Sequence, residues 1–128
     1  MGLNWVYNKQ DFTEDLIGDN YGFVYQITNL TNGKKYIGKK FFYSTKTKQV
    51  KGKKKRYKSF SDWQTYYGSS DLLKQDVIQY GKESFLRVIL HLCRSKGECG
   101  YLEAKEQFLN NVLESDEYYN TDRKSTRL

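Results

Sequence analysis

Between Gly22 and Phe42 the chain has little choice but to fold as a β-hairpin. Phe23, Tyr25 and Ile27 alternate with Val24, Gln26 and Thr28, the period of two that belongs to a strand. Asn32-Gly33 follows, a pair that accepts the positive φ angles of a tight turn, and the run KKYIGKKFF reads as the returning strand.

The remaining elements arrange themselves around that hairpin. QDFTEDLI, residues 10–17, reads as a short N-terminal helix and FSDWQTYYG, residues 60–68, as another. A clearer helix follows, capped by Ser69 or Ser70, with Leu72, Leu73, Val77 and Tyr80 on its apolar face and Gly81 closing it. SFLRVILHLC places Leu86, Val88, Leu90 and Leu92 on one face of a third strand and Phe85, Arg87, Ile89 and His91 on the other. Residues 98–114 read as the longest helix. The order β-β-α-α-β-α describes an α/β domain of the α+β type, a small three-stranded antiparallel sheet flanked by helices. A chain of 128 residues suits one domain, 1–128.

Charge is distributed unevenly. Asn20 to Ser61 contains no Asp or Glu, and residues 34–58 hold twelve Lys and Arg, whereas the rest of the chain carries ten basic and fifteen acidic residues. The net +7 therefore belongs to one segment, the footprint expected of a protein that neutralises a polyanion such as nucleic acid. A solvated lysine loop kept for solubility is the plainer reading of the same run. Residues 44–59 show no hydrophobic period and read as a loop inserted between elements. Lys39, Lys40, Lys53, Lys54, Lys55 and Lys58, with Tyr57 and Trp63 as aromatic neighbours, are the candidate nucleic-acid contacts.

Several classes fall away. No apolar run approaches the roughly 18–20 residues needed to cross a bilayer, and the N-terminus lacks a charged region followed by an apolar one. Cys93 and Cys99 have only His91 as a further soft ligand, so a zinc site is short of donors and reduced, structural cysteines are expected. A soluble protein of a reducing cytoplasm follows.

One residue of the last helix breaks its pattern. Leu102, Glu106, Leu109 and Leu113 share a row at helical spacing, next to a polar row of Glu103, Gln107, Asn110 and Glu114. An ionised carboxylate on an apolar stripe needs a partner, a proton or a cation.

Phe23-Val24-Tyr25 and Tyr36-Ile37-Gly38, ten residues apart across an Asn-Gly turn, resemble the signature of the GIY-YIG nuclease family. The second tripeptide is a literal match; the first has Phe23 for Gly and Val24 for Ile. The resemblance covers about residues 22–120. It implies catalytic roles for Tyr25, Tyr36, Arg56 and Glu106, with Glu106 holding one divalent cation, Mg²⁺ or Mn²⁺, and Gly38 and Asn120 in support. Arg56 is the only Arg between Gly38 and Ser70 and comes later than in compact members, so KTKQVKGKKK reads as an insertion. Tyr25 is implied as the base activating water and Tyr36 as its partner, with the roles open to exchange, since nearby Lys39 and Lys40 favour a phenolate. No residue stands out as the His or Tyr that many members carry after the Arg; Trp63, Tyr66 and Tyr67 lie near. His91 reads as structural.

The expected activity is hydrolysis of DNA phosphodiester bonds in a bacterial or phage-infected cell, with RNA as the other candidate substrate and no membrane. Specificity would be weak, structure-directed, or supplied by a partner or a homodimer. The alternative is a non-catalytic nucleic-acid-binding module that keeps the hairpin and the basic segment. An E-x-K nuclease motif at Glu103-Ala104-Lys105 lies in a helix where a strand is required, and an HNH site needs more than the one His.

Overall fold

The computed structural model describes residues 4–120. The strands are β1 (Val6–Tyr7), β2 (Gln10–Asp11), β3 (Gly22–Asn29), β4 (Lys35–Phe41), β5 (Tyr43–Val50), β6 (Lys53–Phe60) and β7 (Phe85–Cys93), and the helices are α1 (Asp71–Tyr80) and α2 (Lys96–Leu109). The predicted hairpin is β3–β4, paired antiparallel from Gly22↔Phe41 to Thr28↔Lys35, and β7 lies antiparallel on the other side of β3.

Four expectations are corrected. The sheet has five strands in the order β2-β1-β7-β3-β4, because β1 adds to β7 in parallel and β2 folds back on β1. Strands of two residues are too short to show a period, and the expected helix over 10–17 is in fact β2 followed by a single 3₁₀ turn at Glu14–Leu16. The expected helix over 60–68 shrinks to a 3₁₀ turn at Trp63–Thr65. The expected lysine loop is a second, separate two-stranded sheet, β5–β6, joined by a turn in which Lys51 and Gly52 both take positive φ (51° and 79°). Both faces of this ribbon meet solvent, so it has no buried side to impose a hydrophobic alternation.

The core lies on both faces of the sheet. On one face Trp5, Phe23, Tyr25, Tyr36, Phe42 and Trp63 pack with Leu73 and Val77 of α1; on the other Val24, Ile37 and Cys93 pack against Cys99 of α2. The cysteines are unpaired and buried. α1 begins as expected, Ser70 Oγ accepting the Leu73 N–H at 3.3 Å, and ends at Gly81, whose φ is 90°. α2 is capped by Ser95 and stops at Leu109, earlier than its apolar pattern suggests, before Asn111 in the left-handed region. Leu109 is exposed and the row facing the sheet is Cys99, Leu102, Glu103, Glu106 and Gln107. The side chain of Leu113 lies outside the described residues.

β7 carries a bulge. Tyr25 pairs with Ile89 but Val24 pairs with His91, leaving Leu90 as the extra residue. Phe85, Arg87 and Ile89 keep the face expected of them; beyond the bulge the phase flips, so His91 joins Val24 on the α2 face and Leu92 joins Phe23.

An edge strand exposes unpaired backbone groups, and β4 is covered at that edge by the chain's own C-terminal segment. Asn120, fully buried, accepts the Ile37 N–H at 3.1 Å and donates to the Ile37 carbonyl at 2.9 Å, while Gln107 donates to the same oxygen at 3.1 Å. The Lys35 N–H donates to the Glu117 carbonyl at 2.8 Å. Asn120→Ala leaves the Ile37 N–H of a buried edge unmet and its carbonyl with Gln107 alone, and urea unfolding is expected to show a loss of about 2 kcal/mol.

Candidate active site

The two tyrosines of the hairpin meet on one face of the sheet. In an antiparallel ladder directly opposed residues share a face, and Tyr25 stands opposite Gly38, next to the Ile27↔Tyr36 pair. Their rings lie 6.2 Å apart, tilted by 34°. The missing side chain at Gly38 makes the arrangement fit: a Cβ there would stand 2.6 Å from the Tyr25 hydroxyl oxygen and 3.0 Å from Cε2 of Tyr36. The Tyr25 phenol therefore lies across the bare backbone of β4, the edge strand.

Three further groups complete this cluster. Tyr66 meets Tyr25 edge to face at 6.1 Å and shares a hydrogen bond with its hydroxyl. The Tyr36 hydroxyl is 2.8 Å from Ser69 Oγ. Lys40 places its ammonium 4.0 Å from the Tyr66 ring centroid and 2.6 Å from Asp62, whose carboxyl it holds below its ordinary range. Tyr66 is fixed in turn by Arg87, which donates to the carbonyls of Gln64 and Tyr66 at 3.1 and 2.8 Å while lying between the rings of Trp5 and Tyr67. Among the three aromatic neighbours left open by the sequence, Tyr66 is the one that reaches Tyr25; in sequence it differs from Tyr67 only in the exposure that the loop gives it.

The electrostatics run against one expectation. Tyr25 is 1% exposed, and burial, followed by Tyr36, Tyr66 and Glu103, raises its pKa well above that of a free phenol. The lysines do not make it a phenolate in the free protein, because Lys39 is engaged by Glu103 at 3.0 Å and Lys40 by Asp62.

On the opposite face α2 presents two carboxylates. Glu106 Oε2 is 2.7 Å from His91 Nε2, and Asn110 donates to Glu106 Oε1 at 3.2 Å. The odd carboxylate of the stripe thus has partners within the protein, and His91 reaches it because of the bulge at Leu90, a feature hidden in a strand whose residues are apolar on both faces. Glu103, read as an ordinary surface residue, lies over the β4 edge against Lys39, and its field extends to Tyr25.

The other candidates are dispersed. Arg56 stands exposed on β6 opposite Thr47, and among the described residues no hydrogen bond or ion pair joins it to Tyr25, Tyr36 or Glu106. Lys53, Lys54, Lys55 and Lys58 are exposed on the same strand. Trp63 is corrected from a nucleic-acid contact to a core residue: it is 2% exposed, packs on Phe12 and Phe42, and its carbonyl accepts the Trp5 indole N–H at 2.7 Å. Tyr57 and Phe60, each 45% exposed, are the aromatics available on the ribbon.

A sequence family described as "Putative endonuclease segE, GIY-YIG domain" matches residues 5–122. The chain belongs to the GIY-YIG family. It is 35% identical over 100 residues to the "Putative endonuclease segE" of Enterobacteria phage T4, an alignment covering 78% of this chain and 40% of that protein. The chain thus spans about two fifths of its relative's length. No solved structure gives a significant match. Tyr25, Tyr36, Gly38 and Asn120 all lie within the matched range, as does the β5–β6 ribbon.

Two measurements check this geometry. Gly38→Ala should lower stability by about 1–3 kcal/mol through overpacking against Tyr25, read as a fall in melting temperature. The raised Cys93, Cys99 and Tyr25 groups keep their protons in the fold after the unfolded chain has released them. Stability should therefore be flat between about pH 5 and 8.5, fall as the unfolded thiols titrate, and fall more steeply above about pH 10, where Tyr118 and Tyr119 are held up by burial as well, with Tyr25→Phe making the second limb shallower.

Proposed function

We propose that the chain is a metal-dependent endonuclease hydrolysing DNA phosphodiester bonds at the β4 edge. The observation that carries this reading is the contact of Tyr25 and Tyr36 across Gly38, two phenols held on a bare backbone beside Lys40. A packing role alone would be served by phenylalanine, and neither hydroxyl is left without a polar neighbour.

The residues divide the work as follows. Lys40 supplies positive charge for the non-bridging oxygens of the scissile phosphate, exchanging its contact with Asp62 for one with substrate. Tyr25 retains its proton in the free protein and serves as a hydrogen-bond donor. Tyr36 is the hydroxyl assigned to the attacking water, the exchange of roles that the sequence left open. Tyr66 holds the Tyr25 hydroxyl in direction.

Members of this family generally use divalent metal ions. The α2 carboxylates fit such an ion, since Mg²⁺ and Mn²⁺ take hard oxygen donors, and Mg²⁺ commonly binds through one or two carboxylates plus substrate phosphate. Among the described residues no group of three or more His, Cys, Asp or Glu converges. When bound, the cation supplies charge neutralisation for the phosphate and the leaving oxygen. Glu106 is the ligand named by the family pattern; Glu103 is the carboxylate whose field reaches Tyr25.

The experiment is plasmid nicking with Mg²⁺ or Mn²⁺ and with EDTA. Tyr25→Phe and Tyr36→Phe should each reduce cleavage by about 10²-fold or more. Glu106→Gln, which removes the ligand named by the family pattern, should fall at least as far, and Glu103→Gln, whose carboxylate is engaged by Lys39, should fall less. DNA binding without cleavage in either metal would defeat the proposal.

A further inference from the structure

The β5–β6 ribbon sorts its side chains by chemistry. Register places Thr45↔Lys58, Thr47↔Arg56 and Gln49↔Lys54 on one face, and Lys46↔Tyr57, Lys48↔Lys55 and Val50↔Lys53 on the other. The first face offers hydroxyl, amide, guanidinium and ammonium groups, the set that reads base edges: Arg and Lys on guanine, Gln on adenine, Thr on several bases. The second is chiefly ammonium groups on long flexible stems, suited to phosphate. Between Tyr43 and Phe60 there are eight cations and no carboxylate, and Lys48 directly opposes Lys55, a like-charge pair that weakens an already marginal two-stranded sheet.

Cations on both faces are matched by anions on both sides, which a flat polyanionic surface does not provide and a groove walled by two phosphate strands does. Eight-residue strands extend about 26 Å, or roughly seven base pairs at 3.4 Å each. The B-form major groove, about 12 Å wide, admits a two-stranded ribbon, whereas that of A-form RNA is deep and narrow. At the ribbon's root Tyr43 stacks on Phe60 at 5.1 Å with Lys58 above it, and a depression lined by Lys39, Lys40, Phe41, Tyr43, Ser44 and Ser61 lies beside this root.

We infer that the β5–β6 ribbon is a sequence-reading arm that enters the major groove of duplex DNA, with Thr47, Gln49 and Arg56 toward the bases and Lys48 and Lys55 toward the phosphates. The inference deepens the nuclease reading and rests on it for the choice of DNA as substrate. It assigns Arg56, exposed on β6 opposite Thr47, to recognition.

The test selects bound sequences from a randomised duplex library with the full chain in EDTA, so that binding is read without cleavage. A consensus is expected. Gln49→Ala and Arg56→Ala, with melting temperatures near that of the parent, should each lower the preference at one or two positions about tenfold or more. Lys48→Gln with Lys55→Gln should weaken all duplexes alike and reduce the slope of log affinity against log salt by about two. Methylation of guanine N7, which projects into the major groove, should block binding by the unaltered protein. Absence of a consensus, a consensus unchanged in both alanine variants, indifference to N7 methylation, or tighter binding of duplex RNA would each overturn the arm. A consensus without nicking in Mg²⁺ or Mn²⁺ would defeat the nuclease reading alone, and nicking without a consensus would defeat the arm alone.

Discussion

The Tyr25 phenol lying on the bare Cα of Gly38 is the contact on which the rest of the structure depends. It fixes the register of β3 on β4, because a slip of one residue would set a side chain where the ring lies and turn the aromatic face of β3 toward α2. It also brings a hydroxyl to the rim of the sheet, where Tyr66, Lys40 and Ser69 can reach the same small region. Packing and chemistry are therefore the same constraint here: the glycine that lets the core close is the one that lets two phenols sit side by side.

The second requirement is a closed edge. β4 carries the cluster at the end of the sheet, where its outer N–H and C=O groups would otherwise be free to pair with another strand. Asn120 and Gln107 meet Ile37 from two different parts of the chain, and Lys35 is met by Glu117. Residues far apart in sequence thus converge on two backbone positions beside the tyrosines. The third strand is tied in differently, by the bulge that turns His91 toward Glu106 and so joins the middle of the sheet to α2.

What the sequence discloses follows from which interactions leave a period. The β3–β4 hairpin, α1 with its Ser70 cap and Gly81 stop, and β7 as a strand all pack against the core and are legible in the sequence. β1 and β2 are too short for a pattern, and the ribbon has no buried face, so neither leaves one. The site divides along the same line. Tyr25, Tyr36 and Gly38 are legible because they alternate within the hairpin. The placing of Tyr66 depends on Arg87 and Trp5 from distant segments, and the partnership of His91 with Glu106 depends on one extra residue in a strand. Trp63 misleads because an aromatic beside a lysine run looks like a stacking group until the core claims it.

The bulge at Leu90 makes β7 a strand with two phases. Residues before it keep step with the aromatic face of β3, and residues after it keep the opposite step, so one inserted position acts as a parity switch for everything downstream. Loss of Leu90 itself would remove the bulge and leave a regular ladder, with Ile89 still opposite Tyr25, His91 opposite Val24 and Leu92 opposite Phe23. Chain length at this one position is consequently freer than elsewhere in the strand, and an alignment gap at Leu90 between related chains would signal a ladder that has lost its bulge and kept its faces.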